Sequence, residues 1–555
     1  MQIIQLLLMI VSGLAFIASW ININHLPPWN GFYSEAFAIT SMFLLLISYF
    51  LRGHQFKNTM NSIIFFILFS FHAGFLYSTK KIFFLSSSVL YGYYGLFLLL
   101  TFQLGQFIRK EGQEQLIIYI IYATSIISAF LALADWVGVG NQGIFIWLIN
   151  SENFSFKALG NIMQPNHLGT LCIMGLGATI IIWSRNNNWN WLSGIAGVIL
   201  LALIAGLTGS RSTLLNIIIF AGASYFFVDV KNRKKIFLYT LTSLAIFTLT
   251  IFFAKNFYDA LLLSDSNNIS IIDRGTNSAG RIALWAQAIQ AIKLEPWTGF
   301  GWRQIPASQI LVSHIYPGIY ATIYYHNFFL DLLVENGIIF SLCYLILFYL
   351  WKKQFKLSKN KIFLLIPLAL IIPSLTEYQF SYTYLLLPAV LCLSIAIEPR
   401  KLYEINFNSD KKINIRQYIA PIVFGLISVF IFLDYIKCEK TFISTRLRAN
   451  GIVTNQANTK IPNVFILDDL ALLSAIHSLD KNEYTQNDLE KLKYLSARFP
   501  YILIKGYYIK ALIQFEDTEH AKIIYKGIMN CYGENAKNYL NSFIDANPSL
   551  HVIRQ

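Results

Sequence analysis

Three side chains have types suited to transferring a group away from a phosphate. Arg211 follows Gly209-Ser210, Arg281 lies in a long polar segment, and His326 precedes a run that contains two acidic residues. Arginine guanidinium groups bind phosphate oxygens through paired N–H groups, and an imidazole can take or guide a proton near neutral pH. We therefore expect Arg211 and Arg281 to bind a diphosphate. We expect His326 to act as a base or to orient an acceptor hydroxyl.

Further polar residues could bind the substrate or support the site. Gln164, Asn166 and His167 surround Pro165, although this segment could simply be a turn that starts a helix. Glu335 lies about 13 Å beyond His326 along a helix that rises ~1.5 Å per residue, so we expect it to pair with another helix. The whole predicted supporting set is Gln164, Asn166, His167, Asn327, Asp331, Glu335, Glu377 and Tyr378.

The composition predicts what surrounds these residues. Of 555 residues, 55% are hydrophobic and only 13% are charged. Apolar runs of about 17 to 25 residues between short polar loops are typical of a polytopic helical membrane protein, whereas a β-barrel would show alternation in segments of about ten residues. The run from Ile3 to Trp20 lacks the basic region and cleavage site of a signal peptide, which favours a retained first helix. The sequence thus predicts an all-α membrane protein.

Hydropathy predicts about thirteen transmembrane helices, of which the eleventh is short. Their predicted bounds are Ile3–Trp20, Ala36–Leu51, Met60–Tyr77, Phe83–Gln103, Leu116–Val137, His167–Trp183, Trp191–Leu207, Ser212–Val228, Ile236–Ala254, Asn327–Leu350, Ile362–Pro373, Tyr382–Ile397 and Tyr418–Tyr435.

Basic residues in the loops predict the orientation. Alternate loops carry clusters such as Arg109-Lys110, Arg233-Lys234-Lys235 and Lys352-Lys353, and the other loops carry far fewer, with Lys80-Lys81 as an exception. The positive-inside rule then places the amino terminus in the cytoplasm and the loop 255–325 outside. We expect a multi-pass protein of the bacterial inner membrane. All the candidate site residues fall on its periplasmic side, which indicates one periplasm-facing cavity.

The last part of the chain differs in character from the rest. Residues 1–436 form the predicted transmembrane domain, whereas 437–555 are more charged and have apolar residues at three- and four-residue spacing. This pattern predicts a small helical periplasmic domain that could resemble tetratricopeptide repeats, although no clear repeat period is present. Cys438 and Cys531 would share an oxidising compartment, so a disulfide between them is one alternative.

Several function classes are disfavoured. The net charge of +14 comes from basic residues scattered over many loops, where they can face anionic lipids, and this pattern disfavours nucleic-acid binding. Zinc-type His and Cys spacing, a Walker-type glycine loop and a Gly-x-Ser-x-Gly elbow are all absent from the sequence.

The order of the polar motifs resembles the O-antigen ligase and polymerase superfamily. The motifs are Gly209-Ser210-Arg211, then Arg281 with Trp285, then Pro296-x-x-Gly299-x-Gly301, then His326-Asn327-x-x-Leu330-x-x-x-x-Glu335-x-Gly337.

Three further motifs resemble the bacterial protein O-oligosaccharyltransferase branch, the PglL-type pilin glycosylation ligases. They are His25-Leu26-Pro27-Pro28-Trp29 with Glu35, then Gln164-Pro165-Asn166-His167, then Glu377-Tyr378 followed by Tyr384-Leu385-Leu386-Leu387-Pro388. The family commonly has a histidine a few residues before the Glu-Tyr pair, where this chain has Ser374 and Thr376.

The resemblance implies an enzyme, a glycosyltransferase that needs neither nucleotide nor metal cofactor. It would transfer an oligosaccharide from undecaprenyl diphosphate to a Ser or Thr hydroxyl of a periplasmic acceptor, a pilin or pilin-like protein. The alternatives are an O-antigen ligase acting on lipid A-core, an O-antigen polymerase and a transporter of the lipid-linked glycan. A transporter would favour polar residues near the membrane midplane.

Overall fold

The computed structural model describes residues 2–54, 60–81, 84–143, 147–149, 157–185, 191–228, 232–262, 279–317, 320–400, 418–450 and 460–554. Two parts of the predicted outer loop, 263–278 and 318–319, lie outside the described residues, as do the start of the predicted fourth span at Phe83 and residues 451–459 of the predicted carboxy-terminal domain.

The described residues form twenty α-helices, several short 3-10 turns and one pair of short strands. The helices are α1 Gln2–Ile21, α2 Phe32–Phe50, α3 Met60–Ser78, α4 Leu85–Lys110, α5 Glu114–Trp136, α6 Pro165–Arg185, α7 Trp191–Leu207, α8 Arg211–Phe227, α9 Arg233–Leu262, α10 Ala279–Leu294, α11 Ile305–Val312, α12 Phe328–Lys353, α13 Leu365–Ile371, α14 Thr383–Ala396, α15 Ile419–Ala449, α16 Asp468–Ser474, α17 Gln486–Arg498, α18 Ile502–Gln514, α19 Thr518–Cys531 and α20 Glu534–Asp545. Strands β1 (Phe355–Leu357) and β2 (Ile397–Pro399) pair antiparallel, with Lys356 opposite Glu398.

The helices confirm the predicted all-α, multi-pass membrane fold. Within the described residues, eight helices are long and apolar enough to cross a membrane: α1, α2, α4, α5, α6, α9, α12 and α15. Five shorter apolar helical segments lie at Ile63–Ser78, Gly194–Leu207, Arg211–Phe227, Lys361–Leu375 and Thr383–Ala396. These eight and five segments coincide with the thirteen predicted spans, and the number that crosses the membrane stays a prediction.

The chain divides into two compact units, which we describe separately. Unit 1 comprises residues 1–58, 96–277 and 350–422, and unit 2 comprises 59–95, 278–349 and 423–555. The predicted carboxy-terminal domain belongs to unit 2, and its predicted start at 437 falls within α15.

Unit 1 is built around α6, whose residues from His167 to Ile182 are all buried. Small residues allow its neighbours to approach closely, as is common between membrane helices. A Cβ placed on Gly175 would lie only 2.6 Å from the Cβ of Ser125 in α5. Another placed on Gly169 would lie 2.8 Å from Cγ2 of Thr213 in α8. The residues that start α6 and α8 are therefore held by close helix packing.

Unit 2 has a core that joins helices from the predicted outer loop to α12. The buried residues of this core are Leu284, Ala288, Ala291, Ile305, Val312, Tyr325 and Val334. The carboxy-terminal helices pack on the same region, since a Cβ on Gly527 of α19 would lie 2.7 Å from Cγ2 of Ile310 in α11. Cys438 and Cys531 are both buried free thiols, so the disulfide considered as one alternative is not formed.

Candidate active site

His326 lies on a tight turn immediately before α12. Its backbone has a φ of 59°, in the left-handed region that few residues other than glycine adopt. Asn327 follows as the residue that caps the helix, with Oδ1 accepting the backbone N–H groups of Phe329 at 3.0 Å and Leu330 at 3.2 Å. A side-chain cap of this kind satisfies amides that have no partner within the helix. His326 is thus fixed on its carboxy-terminal side.

Asp331 fixes the chain on the other side of His326. Its Oδ1 accepts the backbone N–H of Tyr325 at 2.7 Å, and the carboxyl group is buried. Tyr325 is itself fully buried, with its hydroxyl 2.9 Å from Oγ of Ser308. The residues on both sides of His326 are therefore anchored by hydrogen bonds. The His326 residue is 7% exposed, and its Nε2 lies 3.5 Å from the hydroxyl of Tyr320, which is on the surface.

Arg281 lies in the first turn of α10 and is partly buried. Leu284, one turn further along, belongs to the same core as Tyr325, which precedes His326. Arg281 and His326 are therefore carried by elements that pack on a common core.

Glu335 forms contacts inside unit 2. Its carboxylate accepts a hydrogen bond from the hydroxyl of Tyr91 in α4. It also accepts the backbone N–H of Arg303 at 2.8 Å. Glu335 thus pairs with another helix and with the end of the glycine-rich segment, which fits a supporting role.

The glycine-rich segment Pro296–Trp302 forms hydrogen bonds to both sides of a break in α12. Gly337 has a φ of 66° and interrupts the helix. Such a break leaves backbone groups without helical partners, which is costly unless other groups satisfy them. The segment supplies these partners through four bonds: Phe300 N to Val334 O at 2.8 Å, Gly301 N to Glu335 O at 3.0 Å, Ile338 N to Pro296 O at 2.8 Å and Ile339 N to Trp297 O at 3.2 Å.

Glycine is required where these two backbones meet. A Cβ on Gly299 would lie 2.5 Å from the backbone nitrogen of Gly337 and 2.7 Å from the carbonyl oxygen of Glu335. Trp302, at the end of the segment, stacks between Phe69 and Tyr91 with ring centroids 5.0 and 4.9 Å apart. Its Nε1 donates to Oδ1 of Asn336 at 2.7 Å.

Unit 1 contains a second histidine among tyrosines. His167, in the first turn of α6, is buried with Nδ1 2.8 Å from the hydroxyl of Tyr384. Its ring meets the edge of Tyr382 at a centroid distance of 4.7 Å. Gln164 Nε2 lies 3.5 Å from the hydroxyl of Tyr378. These contacts bring the 164–167 motif against the segment that follows Glu377.

The motif that contains Glu35 also contacts the segment that follows Glu377. Thr383 Oγ1 donates to Oε2 of Glu35 at 3.3 Å. Gln379 donates to the carbonyl of Asn166 at 2.9 Å, and its own Oε1 accepts the Thr170 hydroxyl at 2.7 Å. Three motifs distant in sequence thus meet in unit 1. Glu377 is buried beside them, 8% exposed.

Arg211 is the first residue of α8 and is exposed. Gly209 has a φ of 58°, and Ser210 caps the helix by accepting the Thr213 N–H at 3.2 Å. The start of a helix carries partial positive charge, so Arg211 projects from a position that itself favours anions.

The predicted residues divide between the two units. Unit 1 holds Gln164, Asn166, His167, Arg211, Glu377 and Tyr378, and unit 2 holds Arg281, His326, Asn327, Asp331 and Glu335. The joint binding of a diphosphate by Arg211 and Arg281 stays a prediction.

Residues outside the predicted site set also take part, and one of them, Tyr384, was named only within a family motif. Tyr382, Tyr384 and Gln379 contact the predicted residues in unit 1, and the clustering of tyrosines after Glu377 was the available signal. Tyr91 and Arg303 contact Glu335, and no local pattern marks either as its partner. Among the residues searched, those that the structure describes, no cluster of three or more His, Cys, Asp or Glu side chains could hold a metal ion.

Comparisons with known proteins find two matching family models and two similar enzymes. Residues 196–345 match the family model described as O-antigen ligase, and 362–541 match that of the carboxy-terminal part of a virulence factor membrane-bound polymerase. A ComP-specific O-oligosaccharyltransferase of Acinetobacter baylyi is 26% identical over 93% of this chain and 94% of its own length. A general O-oligosaccharyltransferase of the same organism is 24% identical over 70% of this chain and 69% of its own length. No solved structure matches.

The membrane fold and the matched segments define a membrane-bound glycosyltransferase. The chain is similar to the O-antigen ligase family and to bacterial protein O-oligosaccharyltransferases, in agreement with the resemblance of its motifs.

Proposed function

We propose that this enzyme transfers an oligosaccharide from undecaprenyl diphosphate to a Ser or Thr hydroxyl of a periplasmic pilin or pilin-like protein. Similarity over nearly the full length of a ComP-specific O-oligosaccharyltransferase supports a protein acceptor. The observation that carries the proposal is the anchored turn at His326, where two side chains fix the backbone on either side of an imidazole. Such preorganisation is what a reacting group requires.

The reaction exchanges one bond at the sugar for another. The acceptor hydroxyl oxygen attacks the anomeric carbon, and the bond from that carbon to the diphosphate oxygen breaks with its electron pair. His326 takes the hydroxyl proton or orients the hydroxyl for attack. Undecaprenyl diphosphate leaves as an anion, so no oxidant, reductant or nucleotide enters the balance.

Negative charge grows on the diphosphate as the bond breaks. Arg211, exposed at the start of α8, and Arg281, in the first turn of α10, are the proposed guanidinium groups for this charge. Donors that are already in place where charge develops stabilise the transition state more than they stabilise the bound substrate.

The proposed location is the bacterial inner membrane, with the site facing the periplasm. The eight long apolar helices support a multi-pass protein. The distribution of basic residues among the loops supports the orientation. A lipid-linked glycan and the membrane lipids around it would then reach the site from the outer leaflet.

A reconstituted assay tests the proposal. Purified protein would be mixed with a glycan on undecaprenyl diphosphate and a pilin-like acceptor, and the acceptor would be analysed by intact and peptide mass spectrometry. We expect an acceptor whose mass increases by the glycan on a Ser or Thr residue. A matched reaction would contain lipid A-core instead of the protein. Transfer to lipid A-core with an unmodified acceptor would contradict the proposal and identify an O-antigen ligase.

Polymerisation of the glycan is the second candidate, favoured by the match of residues 362–541 to the polymerase model. The same assay separates it when the acceptor is omitted. A polymerase would lengthen the lipid-linked glycan by whole repeat units, whereas the proposed transferase would leave it unchanged.

A further inference from the structure

Two consecutive aspartates connect the carboxy-terminal helices with the candidate site of unit 2. Asp468 and Asp469 begin α16. The Asp468 carboxylate accepts the backbone N–H groups of Leu85 at 2.7 Å and Ser86 at 3.0 Å, in the first turn of α4. Asp468 therefore caps the helix that carries Tyr91.

Asp469 binds two arginines from different parts of unit 2. Its Oδ2 lies 3.1 Å from Nη1 of Arg303 and 3.3 Å from Nε of Arg498 in α17. The Asp469 side chain is fully buried, and that of Arg498 is 11% exposed. Burial opposes ionisation of Asp469, but Arg303 and Arg498 outweigh it and hold its pKa below the ordinary value. The three groups form one buried, charged cluster.

Arg303 is the member of this cluster that reaches α12. Its φ is 62°, in the left-handed region that is unfavourable for a residue with a Cβ. Such a conformation persists where surrounding contacts determine it. The ion pair with Asp469 holds the side chain, and the backbone N–H donates to Glu335 at 2.8 Å.

Both donors to Glu335 thus depend on the start of α16. Tyr91 belongs to the helix capped by Asp468, and Arg303 is paired with Asp469. Glu335 in turn lies in the same helix that His326 precedes, on the amino-terminal side of the break at Gly337. The Asp469 carboxylate in the carboxy-terminal helices is therefore connected to the helix that follows His326 through Arg303 and Glu335.

We propose that Asp468, Asp469 and Arg498 are positioning residues for glycan transfer. They hold Tyr91 and Arg303 against Glu335 and thereby fix the part of α12 that begins at His326. This inference rests on the proposed function. It makes the carboxy-terminal helices part of the catalytic framework, in addition to any contact they make with the acceptor.

The test compares Arg498→Met with Lys481→Met in the full-length protein. Arg498→Met removes one of the two positive charges of the cluster and keeps an unbranched side chain that is apolar. Lys481 also pairs with an aspartate in the carboxy-terminal helices, at 2.8 Å from Asp488, which forms the capping box of α17 with Thr485 and does not pair with Arg303. Each variant thus loses one ion pair with an aspartate; the Lys481 side chain is 40% exposed and that of Arg498 is 11% exposed, and only the Arg498 pair belongs to the cluster at Arg303.

We expect Arg498→Met to lower kcat by about 10- to 100-fold, because a small displacement of a reacting group has effects of this size. KM for the acceptor should change less than threefold. Arg498→Lys should restore at least half of the wild-type kcat, and Lys481→Met should leave kcat within a factor of two. Monodispersity and thermal melting in detergent would be recorded for every variant.

Several outcomes would overturn the inference. A folded Arg498→Met protein with wild-type kcat would do so, as would an equal loss in Lys481→Met. If Arg498→Met does not fold, Asp469→Glu provides the second variant, since it keeps the charge and lengthens the side chain by one methylene. We expect it to lower kcat severalfold at unchanged melting temperature, and unchanged kcat would again contradict the inference. Failure of the wild type to glycosylate any protein would contradict the proposed function instead.

Discussion

His326 and His167 occupy different kinds of surroundings, one in each unit. The backbone around His326 is fixed by Asn327 and Asp331, and its ring lies near a surface tyrosine. The ring of His167 is enclosed by Tyr382 and Tyr384. An imidazole that is held by its backbone can still change partners and protonation state. One that is surrounded by packed side chains serves to keep those side chains in place.

The comparison indicates which histidine is suited to proton transfer and which to a structural role. Both histidines are buried, but the His326 ring has one contact with an exposed side chain, Tyr320, and its backbone is fixed on both sides, as a group that handles a proton requires. His167 contacts the tyrosines that follow Glu377, in the segment that Glu35 meets through Thr383, so it is better suited to shaping a binding surface there.

Replacing each histidine by alanine should give the largest contrast. His326→Ala should reduce the rate of transfer by at least about 100-fold, since loss of a proton-transfer group has effects of this order. His167→Ala should mainly lower stability and raise KM for the donor. Turnover by both variants would be measured at matched amounts of folded protein. Full activity in His326→Ala would remove this residue from the mechanism.

Gly299→Ala tests how strongly the backbone contacts fix the His326 region. The added Cβ would clash with the backbone of Gly337 and Glu335, so we expect a loss of several kcal/mol of stability, beyond the ~1–2 kcal/mol for a left-handed alanine. Gly112→Ala is the control, because Gly112 also has positive φ but has no heavy atom near the added Cβ. Equal melting temperatures for the two variants would show that the close approach is unimportant.

Asp331→Ala should free the chain that precedes His326. The buried N–H of Tyr325 would lose its acceptor, at a cost of about 1–3 kcal/mol. We expect kcat to fall by about tenfold if the turn is catalytically important. Asp331→Asn retains an oxygen acceptor and should keep more activity than the alanine variant. The reverse order in steady-state assays would contradict a role in holding the turn.

Tyr384→Phe should have the smallest effect. It removes the hydroxyl that lies 2.8 Å from Nδ1 of His167 and leaves the ring packing against Trp20. A lost hydrogen bond of this kind costs about 1 kcal/mol, so the melting temperature should fall slightly and kcat should stay within threefold. A loss of kcat as large as that of His326→Ala would invert the comparison between the two histidines.

The sequence predicted the helices well because a chain in lipid must satisfy its backbone groups internally, and long apolar runs then leave the helix as the natural choice. It also indicated Asn327 and Asp331, since their spacing from His326 is local. The partners of Glu335 were not predictable, because Tyr91 and Arg303 reach it through tertiary packing. The left-handed backbone conformations of His326 and Arg303 were not predictable from the sequence, because tertiary contacts determine them.

The bonds between Pro296–Gly301 and the broken helix α12 bear on how related chains can be recognised. They join residue 296 to 338 and 300 to 334 in a fixed register. A one-residue insertion within either paired segment would shift the bonds on one side of the insertion relative to those on the other. The intervening residues 303–325 carry no such constraint from the pairing. Spacing within residues 296–301 and within residues 334–339 is therefore a stricter search criterion than the distance between the two motifs.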